Sequence, residues 1–130
     1  MTDQQSLSPV LAVISDLLFR SKIDDAARRA GVPLRVAKSI EQLDRHLASA
    51  TPAVVLMDLE IEGLDTGAML ARLRATPAAA NVPVIGFAGH TNVDVIHAAR
   101  ADGVQVMARS AFVAQLPALM DRIAAHGRGD

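Results

Sequence analysis

No cysteine occurs in this 130-residue sequence. Its absence excludes thiol catalysis, cysteine-based zinc sites and a disulfide framework. An excess of charge is missing too, because 13 basic residues face 14 acidic ones and leave no basic stripe for nucleic acid. No apolar run approaches the roughly 18 residues of a membrane span, and the polar first residues lack the features of a signal peptide. We therefore expect a cytoplasmic protein that binds neither membrane nor nucleic acid.

Sequence motifs of common enzyme classes are also missing. The patterns G-x-G-x-x-G and G-x-x-x-x-G-K-[ST] do not occur, which argues against dinucleotide and nucleoside-triphosphate enzymes. The pattern G-x-S-x-G, which marks the nucleophile of α/β hydrolases, is absent as well. The sequence thus predicts no catalytic residues and a protein that is not an enzyme.

Short apolar runs alternate with segments whose apolar residues recur at helical spacing. Five such strand–helix units predict a flavodoxin-like, doubly wound α/β domain with a five-stranded parallel sheet in the order 2-1-3-4-5. We expect one domain over residues 1–130, with its core at about residues 10–125 and flexible tails that include His126 and Gly127. Pro117 predicts that the last helix either begins near Leu116 or is kinked there.

Asp58 directly follows the apolar run Val54–Met57. An apolar strand that ends in a carboxylate places this group at the carboxyl edge of a parallel sheet, where open α/β folds hold their functional sites. Asp16 follows the first strand, and the predicted strand order brings it beside Asp58. Two carboxylates at adjacent strand ends can bind a hard cation such as Mg²⁺.

This layout resembles the receiver domain of bacterial two-component response regulators. The resemblance covers about residues 10–125 and rests on Ser15-Asp16, Asp58, Gly63-Leu64-Asp65 and Arg109. It implies a signal-transduction or phosphorelay role, with Asp58 as the phospho-acceptor and Asp16, Asp58 and the backbone carbonyl of Glu60 as Mg²⁺ ligands. In that family a Thr or Ser after strand four and a Lys after strand five bind the phosphoryl group, and an aromatic residue on strand five reports the change.

Four of the departures from the family pattern make the phosphoryl pocket degenerate. Ser15 replaces the first acid, Ala88 lacks the hydroxyl, Arg109 replaces the lysine and is expected to pair with Asp58 or Asp16, and Val106 replaces the aromatic residue. Two functions remain open. One is a pseudo-receiver that acts by protein–protein interaction, independently of phosphorylation and without a cofactor. The other is a genuine receiver phosphorylated on Asp58 with Mg²⁺.

Receivers commonly use the face of the fourth helix, fifth strand and fifth helix for partners, so the resemblance implies an interaction face there for a signalling partner or a weak homodimer. This face includes His97, Arg100, Ala101, Gln105, Met107, Gln115 and Ala118. Small apolar residues with a few charges suit a modest, reversible contact. His90 is predicted to lie on the loop above the Asp58 pocket, within reach of a ligand.

Overall fold

The computed structural model describes residues 7–89 and 91–127, and its centre is one parallel sheet in the order β2-β1-β3-β4-β5. The strands are β1 Val10–Val13, β2 Leu34–Ala37, β3 Val54–Asp58, β4 Val84–Ala88 and β5 Gln105–Ala108. The helices are α1 Leu17–Ala30, α2 Ile40–Ser49, α3 Thr66–Ala75, α4 Val93–Ala101 and α5 Arg109–Gly127, with a 3₁₀ turn at Pro77–Ala79. The predicted α/β fold class and strand order are confirmed.

The central strands are buried along their whole length because helices cover both faces of the sheet. Successive β3 residues therefore face two different cores. Val55 and Met57 join the core beneath α2, α3 and α4, whereas Val54 and Leu56 join the core beneath α1 and α5. This double burial explains why β3 reads as a continuous apolar run and not as an alternating one.

The strand register brings the segments that follow four strands to one edge of the sheet. Val13 of β1 pairs with Met57, Asp58 pairs with Phe87 of β4, and Ala88 pairs with Ala108 of β5. The residues that follow β1, β3, β4 and β5 therefore emerge side by side. This edge contains Asp58 and the groups that surround it.

Gly86 on β4 makes room for the segment after Asp58. A Cβ atom at this position would lie 2.9 Å from both Leu59 Cδ1 and Val104 Cγ1, which is closer than side chains approach one another. Leu59 is buried in this space. Because Leu59 lies between Asp58 and Glu60, its packing fixes the direction in which the chain leaves β3.

The boundaries of the last helix differ from the sequence-based expectation. A start near Leu116 is wrong, since one helix runs through Arg109–Gly127 with Pro117 inside it. Phe112, Leu116 and Met120 are buried on both sides of the proline, so packing offsets the backbone hydrogen bond that proline cannot donate.

His126 and Gly127, which the sequence assigned to the tail, belong to the last turn of α5. The remaining tail residues, 1–6 and 128–130, and His90 lie outside the described residues. Within the described ranges, no helix combines the length and the apolar character needed to cross a bilayer.

Candidate functional site at the carboxyl edge of the sheet

Asp58 ends β3 and is only 6% exposed, which makes it the one buried charged residue in the part of the chain that the structure describes. Its Oδ1 accepts a hydrogen bond from the backbone N–H of Glu60 at 2.9 Å. Loss of hydration raises the pKa of Asp58 above its usual value, although this N–H and the charge of Arg109 act in the opposite direction. The one hydrogen bond and the nearby cation therefore do not offset the loss of hydration at Asp58.

The Glu60 side chain accepts three hydrogen bonds from two other connecting segments. Oε1 accepts from the backbone N–H of Gly89 and from Arg109 Nη2, both at 2.8 Å, and Oε2 accepts from Asn92 Nδ2 at 2.9 Å. Together these donors, with the amide of Asn92 contributing most, lower the pKa of Glu60 to about 2. We refer to Glu60, Gly89, Asn92 and Arg109 as the Glu60 clamp.

Arg109 is the first residue of α5, and its side chain is shared between two acids. Its Nη2 lies 2.8 Å from Glu60 Oε1 and 3.6 Å from Asp58 Oδ1. The guanidinium also lies over two rings, 5.5 Å from the centroid of Phe87 and 5.8 Å from that of Phe19. A planar, delocalised cation makes such ring contacts well, so the site is built for arginine and not for lysine. The predicted ion pair with Asp58 is present, and a shorter one with Glu60 accompanies it.

All three phenylalanines of the sequence meet beneath Arg109. The rings of Phe19 and Phe112 each lie 4.5 Å from the ring of Phe87, centroid to centroid. Sequence reasoning missed this group. The available signal was position, because Phe87 lies near the carboxyl end of β4 while Phe19 and Phe112 lie in the first turns of the helices that follow β1 and β5.

Asp16 has a structural task in addition to its predicted one. Its Oδ1 accepts the backbone N–H groups of Leu18 at 2.9 Å and Phe19 at 3.1 Å, so Asp16 caps the start of α1. Its charge contributes only the smallest of the effects that raise the pKa of Asp58. Ser15, which precedes it, is exposed.

Hydrogen bonds and a neighbouring cation compete with Mg²⁺ at the predicted donor set. Among residues 7–89 and 91–127 no three Asp, Glu, His or Cys side chains come together as metal ligands. One oxygen of Asp16 and one of Asp58 already accept hydrogen bonds, and the guanidinium of Arg109 lies beside Asp58. Asp16, Asp58 and the carbonyl of Glu60 stay a predicted ligand set.

A scan against protein-family models finds no match, and a search of curated proteins finds none either. Solved structures do match. A protein described as a response regulator from Chloroflexus aurantiacus J-10-fl has a TM-score of 0.75 at 20% identity, over 92% of this chain and 99% of that one. The chemotaxis response regulator CheY4 of Vibrio cholerae has a TM-score of 0.74 at 15% identity, over 91% and 99%. The BeF3-activated receiver domain of nitrogen regulatory protein C has a TM-score of 0.70 at 24% identity, over 93% and 97%.

The fold is that of response regulator receiver domains. On this receiver fold, Ala88 ends β4 as a buried residue and Val106 is half-buried on β5. Beside them lies a cavity of about 290 Å³, which we call the α4–β5 cavity. It is lined by Ala88, Val93, Ile96, His97, Arg100, Val106, Met107 and Ala108. Two positions with small side chains thus border an open space on this side of the receiver fold.

The predicted interaction face adjoins this cavity. Met107 is half-buried, and the other members are exposed, namely His97, Arg100, Ala101, Gln105, Gln115 and Ala118. His97, Arg100 and Met107 also line the cavity. Accessibility allows contact with another protein, and binding at this face stays a prediction.

Proposed function

We propose that this chain is a receiver-like signalling module with a degenerate phosphoryl pocket, which acts through protein–protein contacts independently of phosphorylation. The observation that carries this proposal is the Glu60 clamp. In the family that the sequence resembles, groups after strands four and five bind a phosphoryl group. Here Gly89 and Arg109, which follow β4 and β5, instead hold the carboxylate of Glu60 at 2.8 Å.

Charge disfavours a phosphoryl group beside this carboxylate. The pKa of Glu60 is about 2, so its side chain is ionised at neutral pH. A phosphoryl group would add nearly two negative charges next to it, and Arg109 supplies a single positive charge to Asp58 and Glu60 together. Ala88 offers no hydroxyl, which removes a charge-assisted hydrogen bond of about 1.5–3 kcal/mol. Phosphorylation of Asp58 would therefore have to displace Glu60 from its donors, and residue 88 would offer no hydroxyl to bind the phosphoryl group.

The Glu60 clamp also favours an interaction face that is present constitutively. Gly89 and Asn92 belong to the segment between β4 and α4, and Glu60 bonds to both. The start of α4 is thus already tied to the segment that follows Asp58. A module in this arrangement presents α4 and β5 to a partner without a phosphoryl-driven rearrangement.

A second candidate is a genuine receiver in which a carboxylate oxygen of Asp58 attacks the phosphorus of a phosphodonor and displaces its leaving group. What favours it is the position of Asp58, buried at the end of β3 with Arg109 3.6 Å away. The two candidates predict opposite responses of the protein to acetyl phosphate or beryllofluoride in the presence of Mg²⁺.

Intact-mass measurement and amide NMR decide between them. We expect no mass gain with acetyl phosphate that depends on Asp58, and little change with beryllofluoride in the signals of residues 89–95 and 104–109. Asp58→Ala is the control for modification elsewhere. A stable mass gain that disappears in Asp58→Ala, together with shifts across both segments, would establish the second candidate and reject the first.

A further inference from the structure

We infer that a cavity at the amino edge of the sheet, opposite the edge that holds Asp58, binds a small amphipathic carboxylate. The aryl or alkyl body of this ligand lies between α5 and the sheet, and its carboxylate pairs with Arg122. We call this space the amino-edge cavity. The inference goes beyond the proposed function, because neither Asp58 nor the α4–β5 cavity takes part in this site.

The length of α5 explains where this cavity lies. Helix α5 has 19 residues and spans about 28 Å, whereas β5 has 4 residues and spans about 13 Å. Because the helix starts at the carboxyl end of β5 and runs back along the sheet, its second half extends past the amino end of that strand. The other lining residues include Ser8, Ala53 and Pro83, which lie just before β1, β3 and β4. The cavity therefore lies beneath the second half of α5, at the amino edge.

The size and walls of the amino-edge cavity fit the apolar body of a small molecule. Its volume is about 820 Å³, within the roughly 300–1,000 Å³ of small-molecule pockets. Val54 and Ile85 line it from the sheet, and Leu119 and Ile123 line it from α5. Ile85 and Ile123 pack against the core beneath α1 and α5 but are only half-buried. A ligand that covers them removes apolar surface from water, which favours binding.

Charge on the helix side of the cavity favours an anion. Arg122 and His126, one turn apart on α5, both line the cavity and are exposed. No acid is among the lining residues, and within residues 7–89 and 91–127 Arg122 forms no ion pair. Asp121, the neighbour of Arg122, lines a different cavity between α1 and α5. The guanidinium of Arg122 is thus available to a carboxylate, whose geometry matches its planar fork.

The end of α5 opposes an anion, but only locally. The last carbonyl groups of a helix carry a partial negative charge whose effect falls off within the last turn, and α5 ends at Gly127. Arg122 precedes that turn, whereas His126 lies in it and contributes a ring N–H donor. Gln105 on β5 lines the same cavity and can donate through its side-chain amide. The carboxylate of the ligand is therefore placed beside Arg122 and Gln105, away from the end of the helix.

The test uses the whole chain, labelled with ¹⁵N and at the isoleucine methyl groups, and 1-naphthaleneacetate as the probe. Titration to about 5 mM should shift the amide signals of residues 53–54, 84–85 and 119–127 and give a Kd below about 1 mM. Nuclear Overhauser contacts should join the naphthalene protons to Ile85 and Ile123, and not to Ile96 on α4. Acetate, which has no apolar body, should bind at least about tenfold more weakly. The neutral 1-naphthaleneacetamide should bind about two- to fivefold more weakly.

Variants of the protein locate the site. Arg122→Gln should weaken binding of the acid about two- to fivefold and leave binding of the amide unchanged, so the preference for a carboxylate disappears. Arg45→Gln, at an exposed arginine of α2, should change neither. Ala125→Phe adds a ring at the cavity wall and should weaken binding at least about fivefold. Ala114→Phe, at an exposed alanine of α5 outside the lining residues, should leave Kd unchanged. Thermal unfolding of each variant checks that it is folded.

Several results would overturn the inference: no shifts in the three segments, unchanged binding in Ala125→Phe, or an amide that binds the native chain as tightly as the acid. A dimer seen in sedimentation and lost in Ala125→Phe would indicate a second copy as the occupant. Binding that requires removal of residues 1–6 would indicate that segment as the occupant. Phosphorylation of Asp58 with intact ligand binding would contradict the proposed function alone. Absence of both phosphorylation and ligand binding would contradict the cavity assignment alone.

Discussion

On the β1 side of the site, the carboxylate of Asp16 is exposed and caps α1. On the β4–β5 side, the carboxylate of Glu60 accepts three hydrogen bonds and joins the segments after β3, β4 and β5. Asp58 lies between them, buried and with one backbone donor. The comparison shows that burial and hydrogen bonding separate the two carboxylates: three donors lower the pKa of Glu60, whereas loss of hydration raises that of Asp58.

The largest expected effect comes from converting the β4–β5 side into a phosphoryl site. Ala88→Thr with Arg109→Lys returns a hydroxyl donor and a compact cation, and adding Glu60→Ala removes the competing carboxylate. We expect Mg²⁺-dependent labelling of Asp58 by acetyl phosphate in the triple variant, measured by intact mass. The double variant should label much less, because Glu60 still occupies the donor of Gly89. Equal labelling of both would show that Glu60 does not obstruct the site.

Removing only the charge of Glu60 should cost stability. Its three donors lower the pKa of Glu60 to about 2, and solvent screens part of this effect because the side chain is partly exposed. Glutamine can keep part of the hydrogen bonding, so we expect Glu60→Gln to lower the free energy of unfolding by about 1–3 kcal/mol at pH 7. Urea unfolding measures this loss. Glu62→Gln, at an exposed acid of the same loop, is the matched control.

The pH dependence of the Glu60 effect follows from the direction of the shift. Because folding lowers this pKa, the stabilisation is complete above pH 4.5 and is lost as the pH falls toward 2. The difference in stability between the native chain and Glu60→Gln should therefore shrink over that range. A constant difference would mean that the loss at pH 7 comes from packing and not from charge.

Arg109→Lys tests how much the guanidinium shared by Asp58 and Glu60 contributes to stability. Lysine keeps the charge but loses the planar contact with Phe87 and Phe19 and the reach to both acids. We expect a loss of about 1–2 kcal/mol in urea unfolding. Arg72→Lys, in a surface ion pair with Asp44, should change stability by less than about 0.5 kcal/mol. Equal losses in the two variants would show that Arg109 acts as a surface charge.

The sequence allowed the strand order and the position of Asp58 to be predicted, because apolar runs and helical spacing are local patterns. The pairing of Arg109 with Asp58 was also foreseeable, since both residues follow strands that end at one edge. The role of Glu60 was missed, because its donors Gly89, Asn92 and Arg109 lie far away in the sequence. Asn92 illustrates the reason. It occupies the capping position of α4, yet its side-chain amide bonds to Glu60, a partner that only the folded chain brings close.

The smallest expected effect is at Asp58, and its sign is opposite to that at Glu60. Because burial raises the pKa of Asp58, protonation favours the folded state, so the ionised carboxyl lowers stability above its usual titration range and this cost disappears as the pH falls. Asp58→Asn removes the charge and keeps an oxygen for the N–H of Glu60. We therefore expect unchanged or slightly higher stability at pH 7, with Asp121→Asn, at an exposed residue of α5, as the control. A clear loss of stability in urea unfolding would show that the ion pair with Arg109 outweighs the burial of Asp58, and that the two acids are less different than their donors indicate.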